Sequence, residues 1–231
     1  MDSKVLIGYI TNEYARRADF YDYLNMLDYP INSTILPSHD PSPAVARNRL
    51  IQTAIDQGYD RLALIDDDHK FKPDTLKRLL AHDLDIVSAL YVQRAWPHRP
   101  LMFDLVDEAG GSLYSYLEDA PGLVEKENAG MGFCVFKTEV FKRMEKPWFR
   151  LGELKGAEDQ WCDDIGFFIR AKKAGFKIHI DQTVAIGHLG TMVVTPIWDE
   201  KEKKWYIGYN TDFDTEVRIP VSIPVEKYEF K

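Results

Sequence analysis

"LALIDDDHKFKPD", residues 62–74, decides how the chain is read. A short apolar run ends in three consecutive carboxylates, Asp66, Asp67 and Asp68, followed by His69 and then Pro73. Such a run reads as a buried strand, and a proline placed there suits the first turn of a following helix. A strand repeat of two points Asp66 and Asp68 to one side and Asp67 to the other. Two carboxylates on one side repel each other, and burial makes both harder to ionise. A shared divalent cation removes that cost and can also hold a diphosphate. The plain alternative is an acidic turn capping the next helix. Position favours the cation, because ligands of parallel α/β sheets gather beyond the carboxyl ends of the strands.

Working outward, strands and helices alternate. Residues 4–10 and 31–37 read as strands, and residues 15–27 as a helix with Ala18, Tyr21, Leu24 and Met26 inward. Residues 40–60 begin as a Pro/Ser loop and become a helix with Val45, Leu50, Ile51 and Ala54 inward, stopped by Gly58. A strand at 61–66, a helix at 72–83 and a strand at 84–91 complete the alternation. This pattern predicts an α/β fold with a mostly parallel central sheet and helices on both faces. Beyond residue 95 the pattern is mixed: two short strands in 99–116, a polar connection over 116–132, and a strand running into a helix over 132–144. A helix at 156–175, a strand at 176–181 and a hairpin within 192–219 follow.

The 231 residues suffice for one substantial core, and no linker or repeat divides them. The net charge of -8 argues against a general nucleic-acid binder, which would show a basic face. Cys134 and Cys162 fit neither a metal motif nor a disulfide framework and read as free thiols of a reducing compartment. No stretch has the length of a membrane-spanning helix, and the expected location is cytoplasmic.

Several segments together resemble GT-A-fold glycosyltransferases, especially the family 2-like enzymes of bacteria and their viruses. "IDDDHKFKPDTL" is similar to their Asp-x-Asp segment, and "SPAVARNRLIQTAI" (42–55) to the helix before it. "NAGMGFCVFKTEVFKRM" (128–144) resembles their acceptor-side segment, and "DDIGFFIRAKKAGFKIHID" (163–181) their Glu-Asp helix, with Asp163 where Glu is usual. "IGHLG" (186–190) resembles the segment whose histidine closes the metal site. The likeness covers roughly residues 3 to 191. It implies a catalytic domain over 1–191, with a nucleotide-binding half to about 95 and an acceptor-side half from 96. Residues 192–231 would form a hairpin and extension packed on that domain.

The resemblance implies transfer of a sugar from a nucleoside-diphosphate donor to a hydroxyl acceptor such as a glycan, with Mn²⁺ or Mg²⁺. Asp68 and His188 would hold the metal, and Asp66 the metal or the donor's ribose and sugar. Asp67 would stand in the outer shell or near the donor. Mixed carboxylate and imidazole ligation suits Mn²⁺ somewhat better than Mg²⁺. Asp164 would be the base of an inverting transfer, with Asp163 beside it. Helical geometry agrees: Asp164 flanks the apolar stripe of Trp161, Ile165, Phe168 and Ile169, whereas Asp163 lies nearly opposite. Glu158 and Asp159 compete for the role but lack the Phe and Arg spacing that follows.

Arg47 and Asn48 are placed near the donor, Arg94 near the diphosphate or acceptor, and Tyr9, Thr11 and Asn12 near the nucleobase. Gly130 and Gly132 would let the backbone approach the sugar, or relieve a tight strand entrance. Trp148, Trp198 and Trp205 suit either core or an acceptor platform. Two other functions fit the sequence: a nucleotidyltransferase of related fold, against which stands the lack of a basic glycine-rich loop, and a non-catalytic carbohydrate-binding or assembly protein.

Overall fold

The strand of the quoted stretch is fully enclosed because both of its faces are apolar. Leu62 and Leu64 point into one hydrophobic cluster, and Ala63 and Ile65 into another. The structure, a computed structural model, describes residues 3–11, 18–106, 112–117, 120–151, 163–190, 193–209 and 218–220. The elements of the first half are β1 (Val5–Thr11), α1 (Ala18–Met26), β2 (Ser33–His39), α2 (Pro43–Asp56), β3 (Arg61–Asp66), β4 (His69–Lys70), α3 (Thr75–Ala81) and β5 (Ile86–Leu90). There follow β6 (Met102–Val106), β7 (Ser112–Tyr114), β8 (Leu123–Lys126), β9 (Asn128–Ala129), β10 (Phe133–Lys137), α4 (Thr138–Arg143) and α5 (Asp163–Lys173). The last are β11 (Ile178–Ala185), β12 (Gly187–His188), β13 (Val194–Asp199), β14 (Lys204–Tyr209) and β15 (Arg218–Pro220).

The central sheet has seven strands in the order β2-β1-β3-β10-β5-β11-β8. β1 runs parallel to β2 and β3, and β11 parallel to β5. β10 is inserted antiparallel between β3 and β5, and β8 is antiparallel on the edge. The strand alternation of the first half is therefore as expected, while β8 and β9 form within the stretch read as a polar connection. Two-residue and half-exposed strands such as these leave no periodic signal.

The core has two layers, one on each face of the sheet. Leu50 and Ile51 of α2, Phe141 of α4 and Phe167 and Phe168 of α5 fill one; Phe20 and Leu24 of α1 and Leu76 and Leu79 of α3 fill the other. Pro43 starts α2 behind the Ser42 cap, whose hydroxyl accepts from Val45 N, and Gly58 follows the helix with φ +64°. Three inward assignments are corrected. Val45 and Met26 are exposed, and Ala18 lies on the solvent side, because Phe20 and Leu24 carry the buried stripe of a short helix. Among the described residues, no helix is long and apolar enough to cross a membrane.

A second sheet, in the order β15-β14-β13-β12-β4, contains the C-terminal hairpin and joins it to the residues just after β3. Trp198 and Trp205 are cross-strand partners in that hairpin, and Trp205 and Trp148 are buried. The packing reading therefore holds for those two. Phe167 stacks on Phe149 at 4.5 Å and meets Phe136 edge-on at 5.7 Å, tying α5 to the sheet. Phe167→Ala should lower stability by about 3–5 kcal/mol. Val45→Ala should stay within about 0.5 kcal/mol. Urea denaturation of the two variants checks the contrast.

Candidate active site

The strand repeat carries Asp66 onto the face shared by Leu62 and Leu64, which is the α2 face. There the buried Arg47 meets it: Arg47 Nη2 donates to Asp66 Oδ1 at 3.0 Å and Oδ2 at 3.2 Å. Arg47 also lies over the Phe149 ring at 5.3 Å. Asn48, expected at the donor, is engaged otherwise. Its Nδ2 donates to Phe149 O at 2.8 Å and its Oδ1 accepts from Phe149 N at 3.0 Å. It fixes the segment beneath Arg47 by closing both backbone groups of one residue.

Asp68 has other partners than Asp66. β3 ends at Asp66, residues 67 and 68 form a turn, and the alternation assumed from the sequence stops there. Asp67 stands half-buried in that turn. The chain then enters β4, which pairs antiparallel with β12 so that His69 lies opposite His188. Leu189 N donates to Asp68 O at 2.7 Å and closes the junction. Asp68, His69 and His188 thus form one group, with a ligand atom from each lying within 4.8 Å of the others. Asp66 is outside this group and is paired with Arg47.

The donor set fits a divalent cation. The imidazoles are stacked with centroids 4.6 Å apart. His188 Nδ1 lies 2.9 Å from Val92 O. A ring donating from Nδ1 to that carbonyl presents the lone pair of Nε2 to Asp68 Oδ2, 3.3 Å away. Two acceptors face each other, and a proton or a cation is needed between them. His69 is 1% exposed, and its Nδ1 lies 2.9 Å from Asp68 Oδ1 without the alignment a hydrogen bond needs. Both of its ring nitrogens are enclosed without a hydrogen-bond partner. Burial works against ionisation of Asp68, but attraction to His69 and the His188 contact outweigh it and hold the carboxyl well below the usual range. Burial, reinforced by repulsion from His69, pushes His188 below its ordinary 6.5.

Tyr91 closes the group from β5's end. Its ring meets His69 edge-on at 4.6 Å, and its hydroxyl accepts from Gly132 N at 3.1 Å. Burial and then the charges of Asp66, Asp164 and Asp68 push its phenol well up. Asp164, at the start of α5, is close enough for its charge to act on the same phenol as Asp66 and Asp68; its Oδ1 accepts from Ile165 N at 2.8 Å. Arg94 joins as well: Nη1 lies 3.4 Å from Asp68 Oδ2 and donates to Leu189 O at 3.3 Å, with the side chain 48% exposed.

Gly130 and Gly132 serve this packing. A Cβ on Gly130 would lie 2.3 Å from the Tyr91 hydroxyl, and one on Gly132 would lie 2.4 Å from His69 Nε2. The space they leave is taken by side chains, which supports the tight-entrance reading over close approach to a sugar. Tyr9 packs against Phe20 and Tyr21 of α1, and Thr11 is buried at the end of β1. Asn12, Glu158, Asp159 and Trp161 lie outside the described residues, as does the side chain of Asp163. His69 and Tyr91 are the site residues the sequence reading did not assign. A histidine directly after the acids was visible, but only the β4–β12 pairing shows which way it faces.

No protein-family model and no curated protein matches the sequence. Among solved structures, the crystal structure of A197 from STIV is similar with a TM-score of 0.58 and 16% identity, over 87% of this chain and 92% of that one. S. aureus TarS 1–349 is similar with a TM-score of 0.47 and 14% identity, over 78% of this chain and 57% of that one. At such identities likeness speaks for the fold alone, and only the first is close enough to do so.

The fold is GT-A-like. The acids, imidazoles and arginines of this GT-A-like chain gather at the carboxyl ends of β3 and β5, where an α/β sheet places its ligands.

Two outcomes follow from this packing. Gly132→Ala should displace His69 and destabilise the fold by about 1–3 kcal/mol. Thermal unfolding would show this, and the His69 ring proton shifts in NMR would report the displacement. For His188, whose folded value is depressed, the unfolded chain binds more protons below 6.5. Its contribution is present above pH 6.5 and is lost as pH falls through the window beneath it. Urea midpoints of the wild type against His188→Gln across pH 7 to 5 test the sign: the wild type should lose more.

Proposed function

We propose that the chain is a metal-dependent glycosyltransferase that moves a sugar from a nucleoside-diphosphate donor to a hydroxyl acceptor. The observation that carries this reading is the Asp68–His69–His188 donor set at the carboxyl end of β3 in a GT-A-like fold. Asp68, His69 and His188 would hold Mn²⁺ or Mg²⁺. One carboxylate with two imidazoles is a borderline donor set that favours Mn²⁺ over Mg²⁺. Bound there, the cation would offset the charge that grows on the departing diphosphate.

The chain's own groups supply the rest. Arg94 is half-exposed beside Asp68 and offers a guanidinium to the leaving phosphates. Asp66, held by Arg47, is fixed to accept from donor hydroxyls. Asp164 takes the proton from the acceptor hydroxyl, which gives inversion at the sugar. Tyr91 is neutral and enclosed, and its role is to hold the His69 ring and the Gly132 backbone in place.

Calorimetry of UDP- and GDP-sugars with and without Mn²⁺ tests the reading. Donor binding should require the metal, and Asp68→Ala and His69→Ala should each weaken it by roughly tenfold or more. Equal donor affinity with and without metal would refute the assignment. Asp164→Asn should lower turnover by about 10²–10⁴ while leaving donor affinity within a few-fold. Donor hydrolysis in the absence of an acceptor provides the rate assay.

A further inference from the structure

Among Asp68, His69 and His188, it is His69 whose surroundings most need a cation. Its side chain is buried, and neither Nδ1 nor Nε2 has a hydrogen-bond partner. A neutral imidazole carries one N–H and one lone pair, and enclosing both unpaired is costly. The ring is nonetheless fixed. Tyr91 meets it edge-on at 4.6 Å, and His188 stacks on it at 4.6 Å. Nε2 abuts the bare face of Gly132, where a Cβ would lie 2.4 Å away, and Nδ1 lies 2.9 Å from Asp68 Oδ1.

His188 meets the other oxygen of the same carboxylate. Its Nδ1 lies 2.9 Å from Val92 O, and its Nε2 lies 3.3 Å from Asp68 Oδ2. Each oxygen of Asp68 thus has one imidazole nitrogen beside it, and all three donors come from the chain itself.

That composition separates two kinds of cation. Mg²⁺ prefers oxygen, gives up water reluctantly, and is commonly held by one or two carboxylates together with the phosphates of a substrate. Such an ion depends on its substrate for ligands. Two imidazoles and one carboxylate form instead a three-ligand set of the kind that holds Zn²⁺ in catalytic sites and leaves a position open. Imidazole suits the borderline transition ions in general. An ion bound through His69 must shed water on that side, because the ring is enclosed. The accessible side of the group is at Asp68 and Arg94, whose side chains are 22% and 48% exposed. Arg94 opposes a cation by like charge, and its contact with solvent screens that repulsion.

We propose that His69 makes this group a resident transition-metal centre, which takes an ion such as Mn²⁺, Co²⁺ or Zn²⁺ without a nucleotide and discriminates against Mg²⁺. The inference rests on the metal-dependent reading above and narrows it. The ion belongs to the protein before the donor arrives, and His69 decides which ion it is.

Calorimetry and visible absorption titrations of the full chain, with nucleotide absent, test this. Co²⁺ and Zn²⁺ should each bind at least about a hundredfold more tightly than Mg²⁺. In ¹⁵N NMR, Zn²⁺ should shift the ring nitrogens of both His69 and His188. His69→Asn exchanges an imidazole for an amide and should lower the ratio of Co²⁺ to Mg²⁺ affinity by at least about tenfold. Loosened packing alone would weaken both ions alike and leave that ratio unchanged. If the variant does not fold, the wild-type NMR still decides. A His69 ring unmoved by Zn²⁺, or equal affinity for Co²⁺ and Mg²⁺, would overturn the inference. Ion binding that appears only when UDP or GDP is added would also overturn it, and would leave metal-dependent transfer standing. Ion binding without nucleotide, joined to donor binding that ignores the ion, would overturn the transfer reading and leave this one. No ion binding under either condition would overturn both.

Discussion

The backbone pairing of His69 with His188 is the constraint on which the site depends. It joins residues 119 positions apart through a two-residue strand on each side, and Leu189 N to Asp68 O completes it. A pairing this short is marginal by itself. It holds because each imidazole is also fixed from behind. His188 is anchored on the Val92 carbonyl, and His69 is wedged between the Tyr91 ring and the bare backbone of Gly132. The lone pairs that would hold a cation are oriented before any cation arrives, so little ordering entropy remains to oppose binding.

Charge is partitioned with the same economy. Three adjacent carboxylates would be costly if they faced one another. The end of β3 separates them. Asp66 turns toward α2, where Arg47 neutralises it, and Asp68 turns toward the two imidazoles and Arg94. One acid is then held in an ion pair, and the other lies between the imidazoles and Arg94. Both still reach Tyr91 through space, as Asp164 does, and the phenol stays protonated among them.

Much of this was legible in the sequence. The alternation of apolar strands and helices gave the first half, and the acids at a strand's carboxyl end gave the location of the site. Asp68, Arg94 and His188 lie together, and the charge of Asp164 acts on Tyr91 beside them. What was not legible has specific causes. The strand repeat used to orient Asp66 and Asp68 ends at Asp66, and a turn obeys no such repeat, so their separate partners could not be read from spacing. Asn48 reads as a polar helix residue, and only the tertiary fold reveals that Phe149 consumes both ends of its amide. The antiparallel insertion of β10 between β3 and β5 is a long-range choice, and an all-apolar run such as "FCVF" suits a central strand of either direction. His69 and Tyr91 escaped because burial, which makes them important, is invisible in an isolated sequence motif.

The C-terminal hairpin, which resembled nothing assignable, has its place through the same pairing. β13 hydrogen-bonds to β12 at Val194 and His188, and β14 and β15 extend the ladder outward. Without β13, β12 would be a two-residue edge strand with one side open, a weak support for a residue that must hold its ring orientation. The hairpin also buries Val194 and Ile207 against Val92, whose carbonyl anchors His188. The backbone on both sides of His188 is thus stiffened by one small apolar cluster. Its inner edge supports the imidazole, and on its outer side Glu200 holds both Trp198 and Lys203. A segment added beyond the α/β core therefore steadies His188 through backbone hydrogen bonds and apolar packing.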